Sequence, residues 1–308
     1  MLLRRGLVGL SGPDAESFMQ GVVTTNLHKL APLSASPGLF LNAKGRVLFD
    51  VMIYRAAHDS FLLDCHNAPP LAQYLKVFKL RKKVEIVDLS SSHRPLAVEA
   101  KSLNHPAKDA LCSFIDPRPG LDLLRRIWMP VSSLPSELQD DSLFHQLRFA
   151  QGVPEGPEET GEETAFVLNC DWWPGCLSYD KGCYTGQELV ARTHFKGQVR
   201  KRVVPCILNG GSGGRPHALL PDYASTLLSS RDLSHVSTGA EVMALESGEA
   251  VGKLLARSGA LERPWLGLMT VRDSSPVIYA DKFVATHRVG DVEVMAVRPS
   301  WWPSDSTL

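Results

Sequence analysis

The sequence predicts an α+β fold over its first two-thirds, followed by a small β-barrel or sandwich. Three observations lead there. Short apolar runs of strand character alternate irregularly with helical spacings, and some are joined by hairpin turns, whereas a doubly wound parallel sheet would alternate regularly. From Lys201 onward, strand-like runs separated by glycine turns replace helical spacing. The 308 residues, 44% hydrophobic, suffice to bury a large core and to divide into two or more domains.

In chain order, Leu3 to Leu10 reads as a strand. Ser11-Gly12-Pro13 opens a helix in which Ala15, Phe18 and Met19 share a face, ending near Gly21. Gly38 to Tyr54 holds two apolar runs joined across Asn42 to Gly45, the pattern of a hairpin, and Phe61 to Cys65 adds a strand. Asn67 can cap a helix running past Pro69 and Pro70 through Leu71, Tyr74, Leu75 and Phe78. Lys79 to Lys83 is a basic cluster at its end, which suits either a solvated helix terminus or an anion site. Val84 to Leu89 and Leu96 to Ala100 read as strands, Ala107 to Leu111 as a helical turn, and Leu121 to Met129 as a strand pairing back.

Ser142 to Ala150 is helical, and the acidic run Glu158 to Glu163 reads as a solvated loop. Val203 to Leu208 is a strand, after which residues 209–237, rich in glycine and serine, read as a mobile insertion. Further strands are expected at Val242–Leu245, Val251–Ala256, Trp265–Val271, Phe283–His287 and Val292–Val297. The tail Pro299–Leu308 is expected to fold Trp301 and Trp302 onto the body.

Lysine plus arginine equals aspartate plus glutamate at 33 each, so no global field selects nucleic acid or an anionic membrane. No apolar run is long enough to span a bilayer. The 6 cysteines contain no Cys-x-x-Cys pair and are sparse, which argues against a zinc ribbon, a thioredoxin-type site and a disulfide framework, and favours a reducing compartment. The intervals Cys170, Cys176, Cys183 fit no standard zinc or ferredoxin pattern, so Cys170 and Cys176 read as structural. Met1 to Arg5 runs straight into the first strand and leaves no room for a targeting peptide; an imported protein would be met here with its transit peptide removed.

The chain is organised around Lys181-Gly182-Cys183-Tyr184-Thr185-Gly186-Gln187-Glu188 and the turn that ends at Arg192. Thr185 and Glu188 have the spacing of a capping box, so a helix is expected to begin here. Cys183 then precedes a helix N-terminus with Lys181 close by in sequence, both of which favour thiolate, the form that attacks electrophiles and binds soft metals. A cysteine buried as a small hydrophobe fits the same residues. Downstream, His194, Lys196, Arg200, Lys201 and Arg202, with Phe195 among them, could read as a nucleic-acid stretch or as a positive wall beside Cys183; the neutral chain and a strand starting at Val199 favour the wall.

Lys-Gly-Cys-Tyr-x-Gly-Gln-Glu followed by an arginine resembles the motif of the YgfZ-type iron–sulfur cluster assembly factors, folate-binding-fold relatives of the aminomethyltransferase (T-protein) of glycine cleavage. The segment Arg148-x-x-x-Gly152-x-Pro154 resembles the approach to that loop, and the opening strand, helix, Gln20-Gly21-Val22 and Thr25-Asn26 resemble the start of both proteins. The resemblance implies an aminomethyltransferase-like fold around a central cavity. Residues 1–195 would form two intertwined α+β subdomains, the second at about 38–95, and 196–308 the barrel. It also implies a function in the mitochondrial matrix with A-type cluster carriers, in the maturation of [4Fe-4S] and haem proteins, by a chain more assembly factor than enzyme.

In that picture Lys181, Gly182, Cys183, Tyr184, Gly186, Gln187, Glu188 and Arg192 form the functional motif, and Cys183 ligates a [2Fe-2S] or [4Fe-4S] cluster shared with the partner. Asn26, Asp50 and Arg148 would line a folate-like pocket for tetrahydrofolate. The alternative is a tetrahydrofolate-dependent aminomethyl transferase. T-proteins carry two adjacent acids where this chain has Phe49-Asp50, and lack the cysteine. Asp50 itself can be a ligand or simply a hydrogen-bonded acid at a strand end.

Overall fold

The computed structural model describes residues 1–102, 108–138, 141–160, 170–197, 199, 201–208, 236–257, 265–272, 287–297, 299 and 301–302. It forms two compact units, Met1–Asp141 with Glu155–Lys196, and Ser142–Pro154 with Gly197–Leu308.

The first unit begins with β1 (Gly6–Ser11), α1 (Ala15–Gln20), β2 (Ala35–Leu41), β3 (Val47–Ala57), β4 (Ser60–Cys65), α2 (Ala68–Phe78) and β5 (Glu85–Asp88). The strands make one antiparallel sheet in the order β2-β3-β4-β1-β5. β1 is an interior strand, paired with β4 and β5 and buried on both faces. Val8 and Leu10 pack with Phe18, Met19, Leu71 and Leu75 of the helices, while Leu7 joins Met52, Phe114 and Trp128 on the other side. This explains why it reads as a continuous apolar run rather than an alternation. A second sheet pairs β6 (His93–Glu99), β7 (Cys112–Ile115) and β8 (Leu124–Pro130) in the order β6-β8-β7. The sequence missed β7, whose four residues are too few to show a period.

The β2–β3 hairpin appears where Asn42 to Gly45 predicted it. Asn42 Oδ1 accepts from the amides of Lys44 (2.9 Å) and Arg46 (3.0 Å), and Gly45 supplies the left-handed residue at φ +75°. α2 begins after Asn67, though without a side-chain cap, with proline in its first turn. The unit also holds α4 (Gly156–Thr160) and α5 (Gln187–Lys196). Glu158 and Glu159 thus lie in the first turn of α4, where the dipole favours acids, rather than in a loop.

The second unit contains α3 (Ser142–Ala150) and the strands β9 (Lys201–Leu208), β10 (Glu241–Ala244), β11 (Ala250–Arg257), β12 (Trp265–Arg272), β13 (His287–Val289) and β14 (Val292–Ala296). They close into a barrel in the order β10-β11-β12-β9-β14-β13, which leaves no open edge. Phe149 of α3 packs with Val203, Ala256 and Leu268, which is why Ser142–Pro154 groups with the barrel and not with the residues around it in sequence. Trp301 Nε1 donates to Gln151 O (2.9 Å), and Trp302 is buried. Residues 209–235 of the expected insertion, residues 161–163 of the acidic run and residues 283–286 of an expected strand lie outside the described residues.

Candidate functional site

The cysteine loop is pinned at both ends. Lys181 Nζ donates to Val23 O (2.7 Å) and Thr25 O (2.8 Å) and lies 5.1 Å from the centre of the Tyr184 ring. Thr24 O accepts from Ser178 N (3.2 Å), and Thr24 Oγ1 donates to Cys176 O (2.7 Å). At the far end Thr185 N donates to Gly21 O (3.2 Å). Gly186, at φ +82°, lies so close to the hairpin that a Cβ there would stand 2.5 Å from Asn42 O. Gly45 faces it in turn, with room for a Cβ only 2.9 Å from that of Leu189. The glycine pair is therefore a packing requirement that seats the loop on the β2–β3 turn.

Between these anchors the loop is open. Gly182 and Cys183 are exposed, and a Cβ on Gly182 would meet nothing within 4 Å. Cys183 is the exposed one of the 6 cysteines, while Cys65, Cys112, Cys170, Cys176 and Cys206 are all buried. Burial pushes the thiols of Cys112 and Cys206 up to about 12, and those of Cys65 and Cys170 well up as well, so these four are poor nucleophiles.

Two expectations about the loop need correcting. The helix starts at Gln187, and Gln187 Oε1 accepts from Tyr184 N (3.3 Å), so the turn is closed by the glutamine and not by a Thr185–Glu188 capping box. Lys181 is turned inward onto backbone carbonyls, and burial lowers its amine from 10.5 to about 7. Its task is to hold the loop, not to lend charge to the thiol. Tyr184 is buried beneath it, its phenol pushed up to about 12 by burial and then by Cys176. Glu188 and Arg192, one turn apart, lie on the exposed side of α5 with Phe195, which is 67% exposed.

Of the expected positive wall, Arg200 lies outside the described residues. His194 Nδ1 pairs with Asp171 (3.0 Å) and its ring stacks on Tyr179 at 3.8 Å, while Arg202 is buried in the barrel. The residues expected for a folate-like pocket make contacts within their own units. Asn26 Oδ1 accepts from Gln20 Nε2 (2.9 Å) and His28 N (3.2 Å). Asp50 meets Arg5 Nη1 (3.3 Å) and accepts from Gly156 N (2.9 Å). Arg148, buried in the second unit, donates to Val153 O (2.6 Å), meets His145 Nδ1 (2.7 Å) and lies over the rings of Phe144 and Phe149.

Asp50 belongs to a buried ionic network that the sequence did not reveal. Arg126 reaches Asp64 (2.8 Å) and Asp116 (3.1 Å) and also Glu155; Arg118 meets Asp116 (2.6 Å) and Glu155; Arg5 meets Asp64 and Glu155. Burial opposes the charge on Asp116, but Arg118 and Arg126 outweigh it and hold its carboxyl below the usual range. These residues are scattered between positions 5 and 155 and share no local motif. Among the described residues, no group of three or more His, Cys, Asp or Glu is placed to hold a metal ion.

The family model for the GCVT N-terminal domain matches residues 5–100. The mitochondrial iron–sulfur cluster assembly factor IBA57 of Mus musculus is 32% identical over 326 residues, covering 97% of this chain and 84% of its own. That of Homo sapiens is 32% identical over 330 residues, covering 98% and 84%. The chain belongs to the IBA57 family. Among solved structures, the aminomethyltransferase T of the glycine cleavage system from Bartonella henselae superposes with a TM-score of 0.65 at 14% identity, covering 98% of this chain and 84% of that one. That likeness establishes an aminomethyltransferase-like fold, here ending in a closed barrel of the IBA57-family chain.

Proposed function

We propose that this chain is an iron–sulfur cluster assembly factor of the mitochondrial matrix, in which Cys183 lends its thiolate to a cluster held jointly with an A-type carrier protein. The cluster, [2Fe-2S] or [4Fe-4S], is cargo on its way to the maturation of [4Fe-4S] proteins. The observation that carries this reading is the placement of Cys183, an exposed thiol at the apex of a loop whose two ends are fixed. Clusters of these types take four protein ligands. One reachable sulfur cannot satisfy a cluster, so the remaining ligands belong to the partner. Membership of the IBA57 family, whose named relatives are mitochondrial assembly factors, supports both the cargo and the compartment.

An aminomethyl transferase is the less favoured reading. Both oxygens of Asp50 are engaged, by Arg5 and by the Gly156 amide, and Phe49 replaces the second acid, so the carboxylate pair that folate chemistry uses in T-proteins is missing. The deciding experiment is anaerobic reconstitution of the chain with an A-type carrier, followed by absorption spectroscopy of the co-eluting complex. Wild type should carry a cluster in the complex and Cys183→Ala should not. Equal loading of both would remove Cys183 from the mechanism.

A further inference from the structure

The C-terminal end of α2 carries large apolar side chains that the core does not cover. Val77, Phe78 and Leu80 are 61%, 42% and 83% exposed. Leu80 also holds φ +47°, a left-handed conformation that side-chain-bearing residues rarely adopt. Leu33 shares that conformation, but Leu80 lies in a run with Lys76, Lys79, Arg81, Lys82 and Lys83 and with no acidic residue from 67 to 84. The helix dipole favours one or two of those cations, Lys79 Nζ donates to Val84 O (2.8 Å) and Lys82 Nζ to Ser17 Oγ (3.3 Å), and Lys76, Arg81 and Lys83 are exposed beside them.

This surface is continuous with the cysteine loop. Phe78 packs on Tyr74 at 4.5 Å between ring centroids, and Tyr74 packs on Phe49 of the hairpin at 5.8 Å. The Tyr74 phenol lies beside the side chain of Thr185, two residues from Cys183, and the same hairpin seats Gly186. A line of ring contacts thus runs from the loop that carries the thiol, through Phe49 and Tyr74 half-buried against the core, to the exposed Val77, Phe78 and Leu80.

We propose that the strip Phe49–Tyr74–Phe78, with Val77 and Leu80 and the cations from Lys76 to Lys83, is the docking face for the protein that shares the cluster. Its counterpart on that partner is an apolar patch with an acidic rim. The proposal rests on the shared-cluster reading of Cys183. Aromatic anchors at the centre of an interface carry most of its affinity, and rim charges set the encounter rate and its salt dependence. Five clustered cations select a partner of opposite sign although the whole chain is neutral.

The test measures binding of the cluster-free A-type carrier by calorimetry, separately from cluster loading of the mixture. Arg81→Glu with Lys83→Glu should weaken docking about tenfold and flatten its salt dependence, because both side chains are exposed and only the rim changes. Leu80→Gly should raise thermal stability and still weaken docking, a combination that a structural role for Leu80 would not produce. Cys183→Ser should dock like wild type yet fail to load. If the cluster forms but the surface variants dock and load like wild type, the docking face is wrong and the role of Cys183 stands. If docking depends on the surface and no cluster forms, the shared-cluster reading fails and the docking face stands. If the carrier does not bind at all, both fall. Should the surface variants lose binding only to vesicles rich in anionic phospholipid, the face belongs to a membrane surface and the proposal is overturned.

Discussion

Lys181→Met tests whether the cysteine loop is held as described. The ammonium makes two hydrogen bonds to main-chain carbonyls, 2.7 and 2.8 Å long, each worth about 1 kcal/mol net. Burial lowers the amine from 10.5 to about 7, so between these values the unfolded chain binds more protons than the folded one. Stability therefore rises with pH across that window. One pH unit inside it corresponds to at most about 1.4 kcal/mol, and the partly exposed side chain reduces this to about 0.7. The neutral amine can still donate, so wild type should gain about 1.4 kcal/mol between pH 7 and pH 9 from this group. Methionine neither titrates nor donates. Urea denaturation should place Lys181→Met about 1–2 kcal/mol below wild type at pH 7 and about 3 kcal/mol below at pH 9. A constant difference between the two pH values, or one that shrinks at pH 9, would refute this account of the lysine.

Other substitutions separate the parts of the site. Gly186→Ala should destabilise by at least about 2 kcal/mol, since it combines a positive φ with a contact of 2.5 Å to Asn42 O, whereas Gly182→Ala should unfold like wild type; thermal denaturation of both gives the contrast. Tyr184→Phe should be neutral or stabilising, because the buried phenol has no hydrogen-bond partner among the described groups. Arg126→Met should cost about 3–5 kcal/mol by leaving Asp64, Asp116 and Glu155 with an uncompensated buried charge, and a milder loss in chemical denaturation would mean the network relaxes. With tetrahydrofolate and an aminomethyl donor, the chain should show no aminomethyl turnover; turnover that persists in Cys183→Ala would restore the transferase reading.

Much of the fold was legible because its strands are apolar and its turns carry their own chemistry. The β2–β3 hairpin followed from Asn42 to Gly45, and α2 from Asn67, Pro69 and the spacing of Leu71 and Leu75. The loop around Cys183 was visible as a glycine-flanked thiol, but not its exposure, since a buried cysteine fitted the same residues. What the sequence could not show was long-range. Nothing local marks Thr24 and Thr25, but their partners 151 to 156 positions away make them the anchor of the loop. Lys181 looked like a charge for the thiol because proximity in sequence says nothing about which way a side chain turns. The Thr185–Glu188 capping spacing was present, yet the close contact of Gly186 with Asn42 and the Gln187 carboxamide fixed a later helix start. The ionic network is drawn from seven separated positions, so only the folded chain assembles it.

The most direct measurement is alkylation of the free and the cluster-loaded protein under native, anaerobic conditions, with each cysteine followed by mass spectrometry. The account predicts that Cys183 alone reacts quickly in the free chain and that loading with the carrier and cluster protects it. A slow Cys183 in the free chain, or one that stays fully reactive in a loaded complex, would contradict it.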